Sequence, residues 1–227
     1  MDIRDNLDRV LGSIRRACRQ AGRPEDAASL VAVTKSWSPE AIRPVLDAGH
    51  RLYGENRVQE AQGKWPKLKA LHPDIRVHLI GHLQTNKTAD AVALFDAIET
   101  VDRPKLAAAI AREQERQGRQ VDCFIQVNTG EEPQKSGIAP AETASFVRHC
   151  RSLGLAVTGL MCIPPADQEP TPHFAFLAKL ARDRELHHLS MGMSADYAAA
   201  IEQGATYVRL GTAIFGPRNA PRAPESG

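Results

Sequence analysis

Eight short apolar segments recur along the chain, at residues 30–35, 51–56, 77–81, 97–102, 122–128, 156–163, 188–193 and 207–214. Several are rich in β-branched residues or almost continuously apolar, as strands covered on both faces must be. Helix signals stand between them. Ser38-Pro39-Glu40 reads as an N-cap, an N1 proline and an acidic first turn, with a stop near Gly49. Pro104 opens a helix over 105–117 that ends at Gly118, and Pro140 opens one over 141–152 that ends at Gly154. Ser194 is expected to cap a helix over 195–203, closed by Gly204. A further helix over 3–21 precedes the first strand, with Ile3, Leu7, Val10, Leu11 and Ile14 on one face. Alternating β and α elements predict a parallel sheet. Eight such units in 227 residues favour closure over a doubly wound sheet. The expected fold class is α/β, a single (β/α)8 TIM barrel with an extra N-terminal helix. Pro44 falls inside the helix after the first strand, where it removes a backbone bond and should kink it.

Composition sets the outer bounds. With 42% hydrophobic and 25% charged residues the chain can bury a full core, so disorder is not its main state. Lys and Arg number 29 against 27 Asp and Glu, a balance that argues against a general nucleic-acid partner. No apolar run approaches the roughly 18 residues of a membrane span, and the start, Met-Asp-Ile-Arg-Asp-Asn-Leu, lacks the apolar core of a secretory signal. Cys18, Cys123, Cys150 and Cys162 lie far apart with no CxxC, which fits reduced thiols in the cytoplasm. One barrel domain is expected over 1–217. The proline-containing tail at 218–227 is expected to be disordered.

Barrel chemistry sits at the carboxyl ends of the strands. Lys35 ends the first segment, Val31-Ala32-Val33-Thr34-Lys35. There its amine can be desolvated into a nucleophile for a Schiff base, or can simply snorkel at the rim. Phosphate sites in such barrels are built by the loops after strands 7 and 8. At those places stand Met191-Gly192-Met193-Ser194, at an expected helix start, and Gly211-Thr212. They supply hydroxyls, backbone N–H groups and a close approach to the main chain. Period 2 sends Val208 and Leu210 to one face of the last strand and Tyr207, Arg209 and Gly211 to the other. If the apolar pair packs on the helices, Arg209 enters the barrel and needs an acceptor. A pyridine nitrogen opposite Lys35 would serve, and so would a carboxylate such as Glu55.

Other candidates carry less chemistry. His78 and His82, four apart on a strand, would stand about 13 Å apart, too far to share one ion, so structural roles and no metal are expected. Lys87 and Lys135 read as solvated rim charges, although both could meet an anionic ligand. The segment Glu131-Glu132-Pro133-Gln134-Lys135-Ser136-Gly137 reads as a mobile loop over the barrel mouth, a candidate lid. Arg4, Arg9, Arg15, Arg16, Arg19 and Arg23 are mixed with Asp2, Asp5 and Asp8, which suits a solvated helix face.

An ordered set of motifs then bears a resemblance. Ala32-Val33-Thr34-Lys35, Tyr53-Gly54-Glu55-Asn56 with Val58-Gln59-Glu60, and His78-Leu79-Ile80-Gly81-His82-Leu83-Gln84-Thr85-Asn86-Lys87 form its first half. Lys135-Ser136-Gly137, Gly159-Leu160-Met161, Leu189-Ser190-Met191-Gly192-Met193-Ser194 and Val208-Arg209-Leu210-Gly211-Thr212-Ala213-Ile214-Phe215-Gly216 complete it. From about residue 3 to 217 the chain resembles the pyridoxal phosphate homeostasis protein family, whose bacterial members are often called YggS-like. The resemblance implies a barrel similar to the alanine racemase N-terminal domain, with pyridoxal 5′-phosphate held as a Schiff base on Lys35. It implies that Ser194, Gly211 and Thr212 hold the phosphate, Arg209 faces the ring nitrogen, and Asn56 lies beside the cofactor. Arg57, where an aromatic is frequent, and Pro44 depart from the pattern away from that corner. The implied role is intracellular buffering of the cofactor and its delivery to apo-enzymes by a cytoplasmic monomer. The alternative is a PLP-dependent amino-acid racemase. Such racemases take a second base, a tyrosine, from an added domain and a partner subunit. This chain ends where that domain would begin, and Tyr53, Tyr197 and Tyr207 offer no obvious replacement. A module binding protein or nucleic acid without a cofactor is a third reading, disfavoured by the near-neutral charge.

Overall fold

A computed structural model describes residues 2–217. Eight parallel strands pair in sequence order and close on themselves: β1 (Ser29–Val33), β2 (Leu52–Glu55), β3 (Arg76–Leu79), β4 (Ala97–Val101), β5 (Asp122–Gln126), β6 (Val157–Met161), β7 (His188–Ser190) and β8 (Tyr207–Leu210). The seam is sealed by β1 against β8, with Val31 opposite Arg209 and Ala32 opposite Leu210. The expected closed (β/α)8 barrel is the fold. Its extra helix α1 (Ile3–Gln20) buries Leu7, Val10 and Ile14 and packs against α2 (Pro39–Asp47), α9 (Tyr197–Glu202) and α10 (Thr212–Phe215). Two side chains fasten it. Asn6 donates its amide to the Ile214 carbonyl at 2.9 Å, and Arg23 donates to the carbonyls of Ile201 and Ala205.

The helices between strands are α3 (Val58–Gln62), α4 (Trp65–Leu71), α5 (Thr88–Leu94), α6 (Pro104–Gln117), α7 (Thr143–Ser152) and α8 (Thr171–Arg182). Helix α6 ends as expected at Gly118, whose φ of 60° lets its N–H reach back to the last turn. Outward residues such as Leu79, Leu106, Ile110, Phe174, Val208 and Leu210 form the main core between barrel and helices. Each fully buried side chain of this size contributes about 1.5–3 kcal/mol. Inside the barrel a second cluster joins Ala97, Phe124 and Met161 with Tyr207 packed on it. Alternation along β8 therefore runs as read, with Tyr207 and Arg209 inward.

Three local expectations change. The segment expected as strand to 214 stops at Leu210, and Thr212 already belongs to α10, because Gly211 turns the chain against the end of β1. Lys35 stands in a turn two residues beyond β1 rather than on it. Ser194 caps nothing: α9 begins at Tyr197, and the Asp196 carboxylate takes the Met193 N–H at 2.6 Å, forming a turn that includes Ser194. Helix α2 starts as read, with the Ser38 hydroxyl accepting from Ala41, contains Pro44 and ends at Asp47, just before Gly49. The tail read as disordered, 218–227, lies outside the described residues.

Candidate functional site

The turn bearing Lys35 is held from three sides. The Trp37 N–H closes it on the Thr34 carbonyl at 3.1 Å. Ser36 adopts φ 67°, left-handed backbone that costs a non-glycine residue roughly 1–2 kcal/mol. The Glu60 carboxylate accepts the Ser36 N–H at 3.2 Å, and Lys64 donates its ammonium to the Thr34 carbonyl at 2.9 Å. Behind the turn the Thr34 hydroxyl donates to Glu55 at 2.6 Å. Glu60 and Lys64 were not singled out by sequence reasoning as supports of Lys35. Both follow β2, and only folding brings them against β1.

Beside β1, its neighbour β8 delivers Arg209 and then Gly211-Thr212. Arg209 is 5% exposed. One Nη donates to the Ser190 hydroxyl at 2.7 Å and the other to the Cys162 carbonyl at 3.0 Å. The carboxylate alternative for Arg209, Glu55, is engaged elsewhere: it faces outward and pairs with Lys64 at 2.6 Å. Gly211 is required sterically, since a Cβ there would stand 2.9 Å from the Val33 carbonyl oxygen, at the base of the Lys35 turn. Gly81 is required similarly, because a Cβ would collide with the Asn56 carbonyl oxygen.

These loops enclose a cavity of about 280 Å³ lined by Lys35, Asn56, Ser194, Arg209, Gly211 and Thr212 together. All six sequence-predicted residues meet there, close to the lower end of the roughly 300–1,000 Å³ usual for small-ligand sites. Val33, Trp37 and Ile80 give it an apolar wall. Asn56 Oδ1 points into a buried position without a hydrogen-bond partner. Buried polar atoms are normally paired, and Asn56 Oδ1 is one of several in this structure that are not.

The remaining candidates go elsewhere. His78 is buried on Glu99 through Nδ1 at 2.7 Å, whereas His82 lies beyond β3 with Nδ1 3.9 Å from Asp102. No group of three or more metal-ligating side chains occurs among the described residues. Lys87 joins Arg57 and His82 around a separate cavity of about 260 Å³. The 131–137 loop does not line the central cavity: Asn128 ties its base, donating to the Glu132 carbonyl at 2.8 Å and accepting from its N–H. On α1 Arg19 pairs with Glu25 and Arg9 donates to Asn6. Burial pushes the Cys162 thiol, next to the Arg209 contact, up to about 12, so it stays protonated and inert.

The family model for the alanine racemase N-terminal domain matches residues 6–219. A pyridoxal phosphate homeostasis protein of Aquifex aeolicus is 40% identical, over 96% of this chain and 99% of its own length. The chain belongs to the pyridoxal phosphate homeostasis protein family. Among solved structures, an unknown protein of Bifidobacterium adolescentis matches with TM-score 0.89 and 34% identity over 93% of this chain and 94% of its own. PipY of Synechococcus elongatus, solved with PLP bound, matches with TM-score 0.77 and 38% identity over 89% of this chain and 98% of its own. For a member of this family the cavity lies where the fold expects it, at the carboxyl ends of β1, β2, β7 and β8.

Proposed function

We propose that this chain binds pyridoxal 5′-phosphate reversibly through Lys35, takes part in intracellular homeostasis of that cofactor, and delivers it to apo-enzymes. The observation that carries the reading is the single cavity joining a lysine, an arginine and the Ser194–Gly211–Thr212 corner, with Asn56 in its wall. The donor set fits the group. When bound, the cofactor supplies an aldehyde with which a primary amine condenses reversibly, and Lys35 provides the amine. The Ser194 and Thr212 hydroxyls donate to a phosphate, with Gly211 lining the same corner. Arg209, permanently protonated, donates toward a ring nitrogen and so opposes a proton there. Asn56 lies beside the ligand. The names borne by the Aquifex protein and PipY's bound PLP support the same assignment.

The working unit on this reading is one barrel, 1–217, acting as a monomer in the cytoplasm. Four free, buried cysteines suit a reducing compartment. Of the large exposed apolar side chains among the described residues, Leu71 and Phe176 lie apart on α4 and α8, whereas Ile163 and Met193 both line the cavity. No helix among the described residues is long and apolar enough to cross a membrane. Racemisation lacks an evident second base, since Tyr53, Tyr197 and Tyr207 are all absent from the cavity lining. Borohydride reduction of PLP-loaded protein followed by peptide mapping tests the proposal. One phosphopyridoxyl adduct on the Lys35 peptide, lost in Lys35→Ala, is the expected result. Adducts spread over surface lysines, or none, would overturn it.

A further inference from the structure

A buried polar chain crosses the barrel interior and ends at the cavity. His78 of β3 meets Glu99 Oε1 at 2.7 Å, the Ser190 hydroxyl of β7 donates to Glu99 Oε2 at 2.5 Å, and Arg209 of β8 donates to the same hydroxyl at 2.7 Å. Glu99 and Ser190 are 0% exposed and His78 2%. The hydrogens allow one arrangement at the serine. Its single O–H is spent on Glu99, so its lone pairs accept from Arg209, and both glutamate oxygens are occupied. The second Nη of Arg209 is held by the Cys162 carbonyl, just after β6. Two anchors, one on β7 and one just after β6, thereby fix the guanidinium plane.

A buried guanidinium that served only to neutralise Glu99 would make the stronger, direct two-pronged pair with it. Here a serine is interposed. The contacts of the guanidinium to the barrel are a hydroxyl and a carbonyl, which leaves further N–H donors on a residue that lines the cavity. We propose that Glu99 and Ser190 are positioning residues which, by fixing Arg209, make the cavity prefer ligands whose aromatic ring carries an unprotonated nitrogen. This rests on the PLP reading above.

The test is the ratio of two dissociation constants: PLP against its 1-deaza analogue, in which carbon replaces the ring nitrogen. Both are titrated by absorbance and equilibrium dialysis into the wild-type chain, Ser190→Ala, Ser190→Thr and Glu99→Gln, with circular dichroism as the check on folding. A charge-assisted hydrogen bond corresponds to about a 10- to 100-fold preference for PLP in the wild type. The ratio should fall to about threefold or less in Ser190→Ala and Glu99→Gln, on the scale of losing one such bond, and recover in Ser190→Thr, which keeps the hydroxyl. Folded Ser190→Ala and Glu99→Gln proteins that retain the wild-type ratio would overturn the proposal, even if both ligands bind more weakly. A wild type that binds both ligands equally would also overturn it. A wild type that binds neither would instead remove the PLP reading itself.

Discussion

Glu55 at the end of β2 and Glu99 within β4 are both 0% exposed, yet they do opposite work. Glu55 faces outward, toward the helices. Its Oε1 collects the Thr34 hydroxyl at 2.6 Å, the Trp65 indole N–H at 3.0 Å and the Lys64 ammonium at 2.6 Å. That is a lock, tying β1, β2 and α4 behind the Lys35 turn. Glu99 faces inward, engages both oxygens, and reaches its cation only through Ser190. One carboxylate spends its charge on holding elements together; the other passes it toward an open cavity. Strand alternation decides which, since Glu55 shares a face with Tyr53 packed on Trp65 and Glu99 shares one with Ala97 in the barrel interior.

The contrast predicts unequal consequences. The largest falls on the lock. Lys64→Met strands a buried charge on Glu55 and should lower stability by about 3–5 kcal/mol in urea unfolding, with Glu55→Gln/Lys64→Met recovering most of it. A loss no larger than that of Glu99→Gln would break the distinction between the two systems.

Gly81→Ala should come next. Its methyl displaces the Asn56 backbone at a cost of about 1–3 kcal/mol. It should also weaken PLP binding several-fold. Because it does not touch the Glu99 chain, the preference for PLP over the deaza analogue should survive, which isothermal titration with both ligands can check.

The smallest effect is in acid. Burial alone would raise the Glu99 carboxyl, but His78, Arg209 and Ser190 together hold it below the usual 4.5. The unfolded chain then takes up this proton more readily than the folded one. Stability from Glu99 is therefore complete above about 4.5 and is lost as pH falls through the lower folded value. Urea midpoints measured from pH 5 to pH 3 should drop less steeply in Glu99→Gln than in wild type. Equal slopes would mean the carboxyl is not stabilised by its partners.

Much of this was legible in the sequence because it is local. The strand segments and the capping at Ser38 and Gly118 depend on neighbours a few residues away. So does the inward direction of Arg209, which needs only period 2 between Val208 and Leu210. The six cavity residues sit beside glycines and strand ends in recognisable motifs, and they converge in one place. The misreadings have local causes of a different kind. Ser194 is a good N-cap residue, but the N–H groups it would accept, those of Asp196 and Tyr197, go to the Met193 carbonyl. Residues 211–214 are apolar enough for a strand, but Gly211 lies against Val33 and turns the chain into α10.

The sequence by itself thus determined the barrel and six residues that line one cavity, since hydrophobic period, glycine placement and capping act over short spans. Only the closed tertiary structure decided what supports them. Glu60 reaches Ser36 across 24 residues, Lys64 reaches Thr34 across 30, and Ser190 reaches Glu99 across 91. No local pattern encodes such pairs. The first two exist because α3 and the start of α4 pack back against the end of β1; the third exists because closing eight strands into a ring sets inward side chains of β4 and β7 within hydrogen-bond distance, away from water, where each buried donor must find an acceptor.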